Sequence, residues 1–451
     1  MARAAQWLFA ALLICALAGA WASPASAQAG PLAAPTSHLE VASLPPPGVA
    51  NFDPHKAVEA YLGRVSGEAR ERSDSYFDGG IVLSFVDTLY VLVVAGLLLW
   101  LRISAKMREY AAKITRFRFL QAPIYVAQYF IVTTLVSLPL TIYEGFVREH
   151  TYGLSNQTFM QWTRDFGIQF LVDFISFVVL LTIIYAVVRA AKRSWWIWGT
   201  GVAVIFLIVQ IVITPVYLAP LFNKYTALPE SGLKESILSM ARANGIPADN
   251  IYVFDASKQS TRISANVSGM LGTTRISLND NLLNRCTPSE VMAVLGHEMG
   301  HYVMNHITNT ILWLGLVMLF GFAFVNWAYL GICKLFGSRW DVRGIDDPAG
   351  LPIAIALFSL IALVATPAVN AIIRTNEIQA DIFGLNAVRQ PDAFATVALK
   401  LSDYRKLDPP AWEEALFYDH PSGRSRIWEA MRWKKEHMGD PDILSGPLSP
   451  Q

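Results

Sequence analysis

Six long apolar blocks restrict the fold of this chain more than any other feature. Each holds about 20 or more mainly apolar residues, enough for one helix to cross ~30 Å of hydrocarbon. The blocks cover residues 80–101, 122–143, 167–188, 195–217, 309–333 and 350–373. Because 53% of the chain is hydrophobic and only 16% is charged, we expect an all-α polytopic membrane protein.

The N-terminus adds a further apolar segment. Arg3 precedes an apolar run, and the small-residue pattern Pro24-Ala-Ser-Ala27 follows it. Residues 1–27 are therefore interpreted as a secretory signal peptide or a retained first membrane helix, so that the chain has six to seven transmembrane helices. The predicted units after it are a polar tether and helix at 28–79, four membrane helices within 80–217, a catalytic insert at 218–308, two membrane helices within 309–373, a C-terminal catalytic segment at 374–438 and a flexible tail at 439–451.

The insert between the fourth and fifth blocks has the pattern of a small α+β unit. Residues 228–244 are amphipathic with helical spacing, and residues 250–254 and 274–278 are typical of short strands. Gly269 and Gly272 predict a turn before the second strand. A helix is expected from Thr287, because Thr287, Pro288 and Glu290 form an N-cap, an N1 proline and an N3 glutamate.

This last helix contains the pattern His-Glu-x-x-His. His297 and His301 lie four residues apart, on one face of a helix, where two imidazoles can bind a single Zn2+. Glu298 lies about 100° round the helix, beside the metal. From there it can act as general base on a water whose pKa the metal lowers. The alternative is an accidental pattern in a buried helix.

A catalytic zinc site needs a third protein ligand, and Glu377 is the preferred candidate. Asp381 lies four residues further on the same expected helix and can orient a ligand histidine. His306 is about 140° from the ligand face of a continuous helix and cannot reach the same metal without a break in that helix. The alternative for Glu377 is a surface pair with Arg374. His420 can donate a hydrogen bond to a developing oxyanion, or it is a solvated loop histidine.

Five ordered motifs together resemble the CAAX prenyl protease 1 family of integral-membrane zinc endopeptidases, from about residue 53 to 438. They are Tyr152-Gly-Leu-Ser-Asn-Gln-Thr158, Ala219-Pro-Leu-Phe-Asn223, Val294-Leu-Gly-His-Glu-Met-Gly-His301, Glu377-Ile-Gln-Ala-Asp381 and His420-Pro421. The resemblance implies seven membrane helices around a large chamber, with zinc at one end of it. It also implies ligand roles for His297, His301 and Glu377, a base role for Glu298, and a place near the transition state for His420.

The chain departs from the family pattern in two places. The family segment that lines substrate as an edge strand appears here as Ser264-Ala-Asn-Val-Ser-Gly269, so Ser264, Ala265 and Asn266 are the candidate substrate-binding residues. Their backbone groups can still pair with a peptide as an added strand. The signal-like N-terminus also replaces the family's first helix, and its removal would leave six helices from this chain.

The combined pattern predicts a membrane-embedded, gluzincin-type zinc endopeptidase with one Zn2+ per chain, acting on a peptide or protein in contact with the lipid bilayer. Three rivals are a transporter with an incidental motif, a silent membrane chaperone that retains zinc for structure, and a protease that cuts within the bilayer. Net charge near +1 excludes a nucleic-acid partner, since too few cations are available to neutralise a phosphate track.

Charge in the short loops predicts the side of the membrane. Lys and Arg concentrate in residues 102–118, 189–194 and 334–349, which share one side by alternation, whereas residues 144–166 hold only Arg148 and Arg164. The positive-inside rule places the first three loops in the cytoplasm. The catalytic site is then expected on the periplasmic face of a bacterial inner membrane, although the eukaryotic relatives face their site to the cytosol.

Overall fold

The computed structural model of the chain describes residues 52–268, 274–440 and 442–443. Its first half consists of helices. They are α1 (Pro54–Leu62), α2 (Gly67–Trp100), α3 (Ile103–Ile114), α4 (Arg118–Thr151, which turns π-helical at Tyr143–Arg148), α5 (Phe159–Ala190) and α6 (Trp195–Phe222). The helices α2, α4, α5 and α6 are long and apolar enough to cross a membrane.

The insert that follows combines a small sheet with helices. Its elements are β1 (Tyr225–Ala227), α7 (Gly232–Ala243), β2 (Ile251–Phe254), β3 (Ala265–Ser268), β4 (Arg275–Asn279), α8 (Asp280–Arg285) and α9 (Pro288–Val303). The strand order is β1-β2-β4-β3, with β2 and β4 parallel and the outer strands antiparallel to their neighbours. Thus β3 forms one edge of the sheet, and it packs against α9 through the buried Val267 and Leu295.

Two more membrane helices and the C-terminal segment complete the fold. These elements are α10 (His306–Trp340), α11 (Pro348–Val388), α12 (Pro391–Lys400), α13 (Ala411–Phe417) and α14 (Gly423–Glu436). The helix α11 has 41 residues, so its C-terminal turns extend past the bilayer and lie beside α9. One long helix therefore belongs both to the membrane bundle and to the catalytic insert.

The loops at the other end of the bundle contact one another. Arg108 binds Asp347 at 2.7 Å and Asp341 at 2.6 Å. Lys192 binds Asp346 at 2.7 Å. The three loops rich in Lys and Arg therefore lie on one side of the bundle, opposite the insert.

Three apolar cores hold the molecule together. The membrane core lies between α2, α4, α5, α6, α10 and α11 and includes the fully buried Tyr125, Leu180 and Phe322. A second core packs the sheet against α7 and α9. A third joins α1 to α12 and α14 through Leu62, Leu399 and Ile427. Large apolar side chains on the outer faces of the six long helices stay exposed, as a lipid-facing surface requires.

The predicted fold class is confirmed: six long apolar helices accompany a small α+β insert within the described residues. The helix predicted within residues 28–79 is divided in two in the structure, because α1 ends at Leu62 and α2 begins at Gly67, which has φ +61. Strand β1 was not anticipated, whereas β3 falls on the segment that the family resemblance implies to be an edge strand. The predicted signal segment, the turn at Gly269 and Gly272 and most of the tail lie outside the described residues, and the enclosed chamber stays a prediction.

Candidate metal centre

The two histidines of the motif are held on a helix whose start is fixed locally. Thr287 accepts a hydrogen bond from the backbone N–H of Glu290, and the Glu290 carboxylate accepts one from the backbone N–H of Thr287. The predicted capping box is therefore present. His297 and His301 are 9% and 7% exposed, and their Nε2 atoms lie 3.1 Å apart. Both ring nitrogens face the same point inside the protein.

The helix α11 brings two carboxylates to this point. Glu377 Oε2 lies 3.3 Å from His297 Nε2, and Glu377 Oε1 lies 3.3 Å from His301 Nε2. Asp381 Oδ1 accepts a 2.7 Å hydrogen bond from His297 Nδ1. Both carboxylates are 2% exposed. Glu377 therefore contacts the Nε2 atoms of both imidazoles, and Asp381 holds the opposite nitrogen of the His297 ring.

Glycines allow α9 and α11 to approach closely enough for these contacts. A Cβ at Gly384 would lie 2.8 Å from the backbone N of His297, and one at Gly300 would lie 3.1 Å from Ala380 Cα. A Cβ at Gly296 would lie 2.5 Å from the side chain of Val388. Backbone therefore packs directly on backbone at this crossing, which fixes the height and spacing of the donor atoms.

The donor set fits a zinc ion. Ligand atoms of His297, His301 and Glu377 all lie within 4.8 Å of one another, and all three residues are buried. Ligands at ~2.0–2.1 Å in a tetrahedral arrangement lie about 3.3 Å apart, which matches the separations between these nitrogens and oxygens. Two imidazoles and one carboxylate are also the donor types of catalytic zinc sites.

Glu298 lies beside this cluster and is itself unusual. The carboxyl is buried, and its Oε2 atom has no hydrogen-bond partner among the described residues. Burial raises the pKa of the Glu298 carboxyl to about 7. A buried carboxyl oxygen without a protein partner, next to three metal-type donors, is suited to exchange a proton with a water molecule.

The C-terminal segment adds His420, as the sequence predicts. Its Nε2 atom lies 3.3 Å from Glu377 Oε2. On the other side of the ring, Nδ1 lies 2.8 Å from Asp419 Oδ1 and 3.2 Å from an Arg405 nitrogen. His420 is therefore part of the cluster, and Asp419 fixes the orientation of its ring.

Two more residues contact the site: Arg426, which was missed from the sequence, and His306, which the sequence analysis considered only as a metal ligand. Arg426 is buried and bridges the carboxylates, 2.9 Å from Glu377 Oε2 and 3.1 Å from Asp381 Oδ2. His306 lies against the far side of His301, with their Nδ1 atoms 3.0 Å apart, and its own Nε2 contacts Gln379 Oε1 at 3.0 Å. No sequence pattern indicates that Arg426 lies in the site, because it is 49 residues away from Glu377. A contact between His306 and His301 could have been considered, because the two residues are only five positions apart.

A break in the helix separates the motif from His306. The helix is not continuous past the motif: α9 ends at Val303, and Asn305 adopts a left-handed conformation with φ 54 before α10 begins at His306. Asn tolerates this conformation better than most residues. The break turns the chain so that His306 meets His301, although it stays outside the group of metal-type donors.

The candidate substrate-binding residues lie at the sheet edge beside α9. Ala265 and Asn266 belong to β3 and pair with Leu278 and Ser277 of β4. Ser264 precedes the strand, and both its N–H and its C=O bond to Asn279, at 3.1 and 2.9 Å. The backbone N–H and C=O of Ser264 are therefore already hydrogen-bonded within the protein. The edge of β3 that faces away from β4 pairs with no other strand among the described residues.

Comparisons with known proteins agree with this geometry. A family model described as "Peptidase family M48" matches residues 227–434, and one described as "CAAX prenyl protease N-terminal, five membrane helices" matches residues 53–224. The chain is 32% identical to the uncharacterized metalloprotease YhfN of Bacillus subtilis, over 76% of this chain and 79% of that protein. It is 30% identical to CAAX prenyl protease 1 of Saccharomyces cerevisiae, over 66% of this chain and 69% of that protein.

A solved structure has the same fold. The crystal structure of S. mikatae Ste24p superposes with a TM-score of 0.67 at 23% sequence identity, covering 84% of this chain and 94% of that chain. The family matches together span the membrane helices, the insert and the C-terminal segment. This chain is thus a membrane metalloprotease that belongs to peptidase family M48.

Proposed function

We propose that this protein is a zinc-dependent endopeptidase in which Glu298 acts as general base. The observation that carries the proposal is the buried convergence of His297, His301 and Glu377 on one point, with the unpartnered Glu298 Oε2 beside it. A zinc ion held there would polarise the scissile carbonyl and lower the pKa of a coordinated water molecule.

The protein's own groups then supply the remaining steps. Glu298 accepts a proton from the attacking water and passes it to the leaving amine. His420, held by Asp419, donates a hydrogen bond to the oxygen that becomes negative as the peptide carbonyl is attacked. Because both groups come from different segments of the chain, catalysis requires α9 and the C-terminal segment to be docked together.

Substrate positioning is assigned to the edge strand. A peptide that pairs with the outer edge of β3 is held by backbone N–H and C=O groups, so binding depends little on its side chains. Ala265 and Asn266 are the residues of this edge nearest the start of the strand. The substrate is thus a peptide or protein in extended conformation, and the CAAX prenyl proteases in this family make a membrane-associated substrate the first to test.

The site is assigned to the outer face of the membrane. The insert lies opposite the three cation-rich loops, which the positive-inside rule assigns to the cytoplasm. For a bacterial member this orientation gives a catalytic site on the periplasmic face of the inner membrane.

Glu298→Gln tests the base. Zinc content should stay at the wild-type level, since Glu298 is not one of the ligand donors, while kcat on a peptide substrate falls at least ~10²-fold. Glu235→Gln, at an exposed carboxylate of α7, is the matched control and keeps activity. Near-normal peptidase activity of Glu298→Gln would exclude the mechanism. Full zinc content without peptidase activity in both Glu298→Gln and the Glu235→Gln control would favour a silent chaperone.

The ligand set is tested separately by metal analysis. His297→Ala, His301→Ala and Glu377→Ala should each lower zinc stoichiometry, because each removes one of three protein donors. A Glu377→Ala protein that keeps its zinc would show that the third ligand is another residue.

A further inference from the structure

A basic cleft lies where the insert meets the membrane helices α5 and α6, and neither the metal-type donors nor residues of β3 line it. Its volume is about 430 Å³, and four of its lining residues are cations, while none is acidic: Arg164, Lys224, Lys258 and Arg275. Lys258 pairs with Asp255 at 3.1 Å. Among the described residues, no carboxylate lies within ion-pair distance of the other three cations.

The cations come from three separate parts of the fold. Arg164 lies near the start of the membrane helix α5, Lys224 directly follows the membrane helix α6, and Arg275 begins β4. Arg275 is held in place: its guanidinium lies 4.0 Å from the centre of the Tyr225 ring, and its Nε donates to Ser277 at 2.9 Å. Distant segments thus converge on one cation-lined cleft.

The cleft also lies at the level of the lipid headgroups. Pro220, Leu221 and Phe222 line it together with the cations, and they form the last turn of α6. This helix has 28 residues and is about 42 Å long at ~1.5 Å per residue. That length equals the bilayer with its headgroup regions, so the last turn lies among the headgroups. Leu221 and Tyr217, in the last two turns of α6, are 46% and 69% exposed.

We propose that this cleft binds the phosphodiester of an anionic phospholipid headgroup. The unpaired cations bind the phosphate oxygens, Arg through paired N–H donors and Lys as a point charge. The exposed apolar turn of α6 contacts the glycerol and acyl region. The site is separate from the metal centre, and it attaches the sheet side of the catalytic insert to the membrane surface.

The test measures lipid binding to the full-length protein, purified in detergent and stripped of lipid. The probes are dioctanoyl phosphatidylglycerol, dioctanoyl phosphatidylcholine and inorganic phosphate, and bound lipid is counted by native mass spectrometry. The test variant carries Arg164→Glu and Lys224→Glu. The matched control carries Arg242→Glu and Lys435→Glu, which make the same change in charge at exposed positions outside the cleft.

The wild type and the control should bind phosphatidylglycerol alike, and more tightly than phosphatidylcholine. The cleft variant should bind phosphatidylglycerol about tenfold or more weakly, since two cations that attract the phosphodiester are replaced by carboxylates that repel it. Lys224→Gln alone should give a smaller loss in the same direction. Unchanged phosphatidylglycerol binding in the cleft variant would overturn the proposal. Equal competition by inorganic phosphate would overturn the lipid assignment in favour of a free anion.

Discussion

Replacing Gly384 by Ala should weaken zinc binding without touching any donor residue. The new Cβ would lie 2.8 Å from the backbone N of His297, whereas ordinary contacts begin at 3.4 Å. The two helices must therefore separate by about 0.6 Å. Carried along α11, this shift lengthens the 3.3 Å separations between Glu377 and the two imidazoles to about 3.9 Å. Metal sites tolerate about ±0.2 Å in their metal–ligand distances.

We expect a 10- to 100-fold lower zinc affinity, as for loss of a group that orients a ligand, together with about 1–3 kcal/mol of destabilisation from overpacking. Chelator competition measures the first and thermal unfolding the second. Gly331→Ala, with no atom within 4 Å of its new Cβ, should change neither. Gly350→Ala, whose Cβ would overlap the Tyr329 hydroxyl, should lower stability but not zinc affinity. Wild-type zinc affinity in Gly384→Ala would refute the reasoning.

Three further outcomes follow from the site and the loops. Asp381→Ala should weaken zinc binding or activity roughly 10- to 100-fold, measured by chelator competition and peptide cleavage, because it frees the His297 ring. His306→Ala should weaken zinc binding less than loss of a ligand does. His306→Asn, which keeps a hydrogen-bond acceptor for His301, should have most of the wild-type zinc affinity; equal zinc affinities of the wild type and both His306 variants would exclude a role of His306 in orienting His301. In a background without native cysteines, an impermeant thiol reagent on intact cells should label Lys435→Cys and not Lys106→Cys, and the reverse pattern would place the catalytic site in the cytoplasm.

The sequence was sufficient where the determining interactions are local. The capping box of Thr287 and the four-residue spacing of His297 and His301 lie within a few turns of one helix, so the pattern alone predicts their geometry. The membrane helices follow from length and hydrophobicity. Glu377 was reached from zinc's need for a third ligand and from its spacing to Asp381, and the ordered motifs of a known family supported that choice.

The remainder depends on tertiary packing that no local pattern encodes. The contact of Arg426 with Glu377 joins residues 49 positions apart. The edge strand β3 has only four residues, too few for a distinct alternation. Asn305 was a sequence signal of a helix break, because Asn is among the few residues that adopt the left-handed conformation. It has that conformation here.

The long helix α11 has a mechanical consequence. It starts beside the loop cluster of Arg108 and Asp347, and Glu377 lies 29 residues after its first residue, Pro348, a distance of about 44 Å at ~1.5 Å per residue. A tilt of about one degree would move the Glu377 end by about 0.8 Å, and bilayer thickness alters helix tilt. Because Gly300 and Gly384 allow α9 to pack directly against α11, His297 and His301 move together with Glu377. We therefore expect the spacing of the donor atoms to be the same in membranes of different thickness.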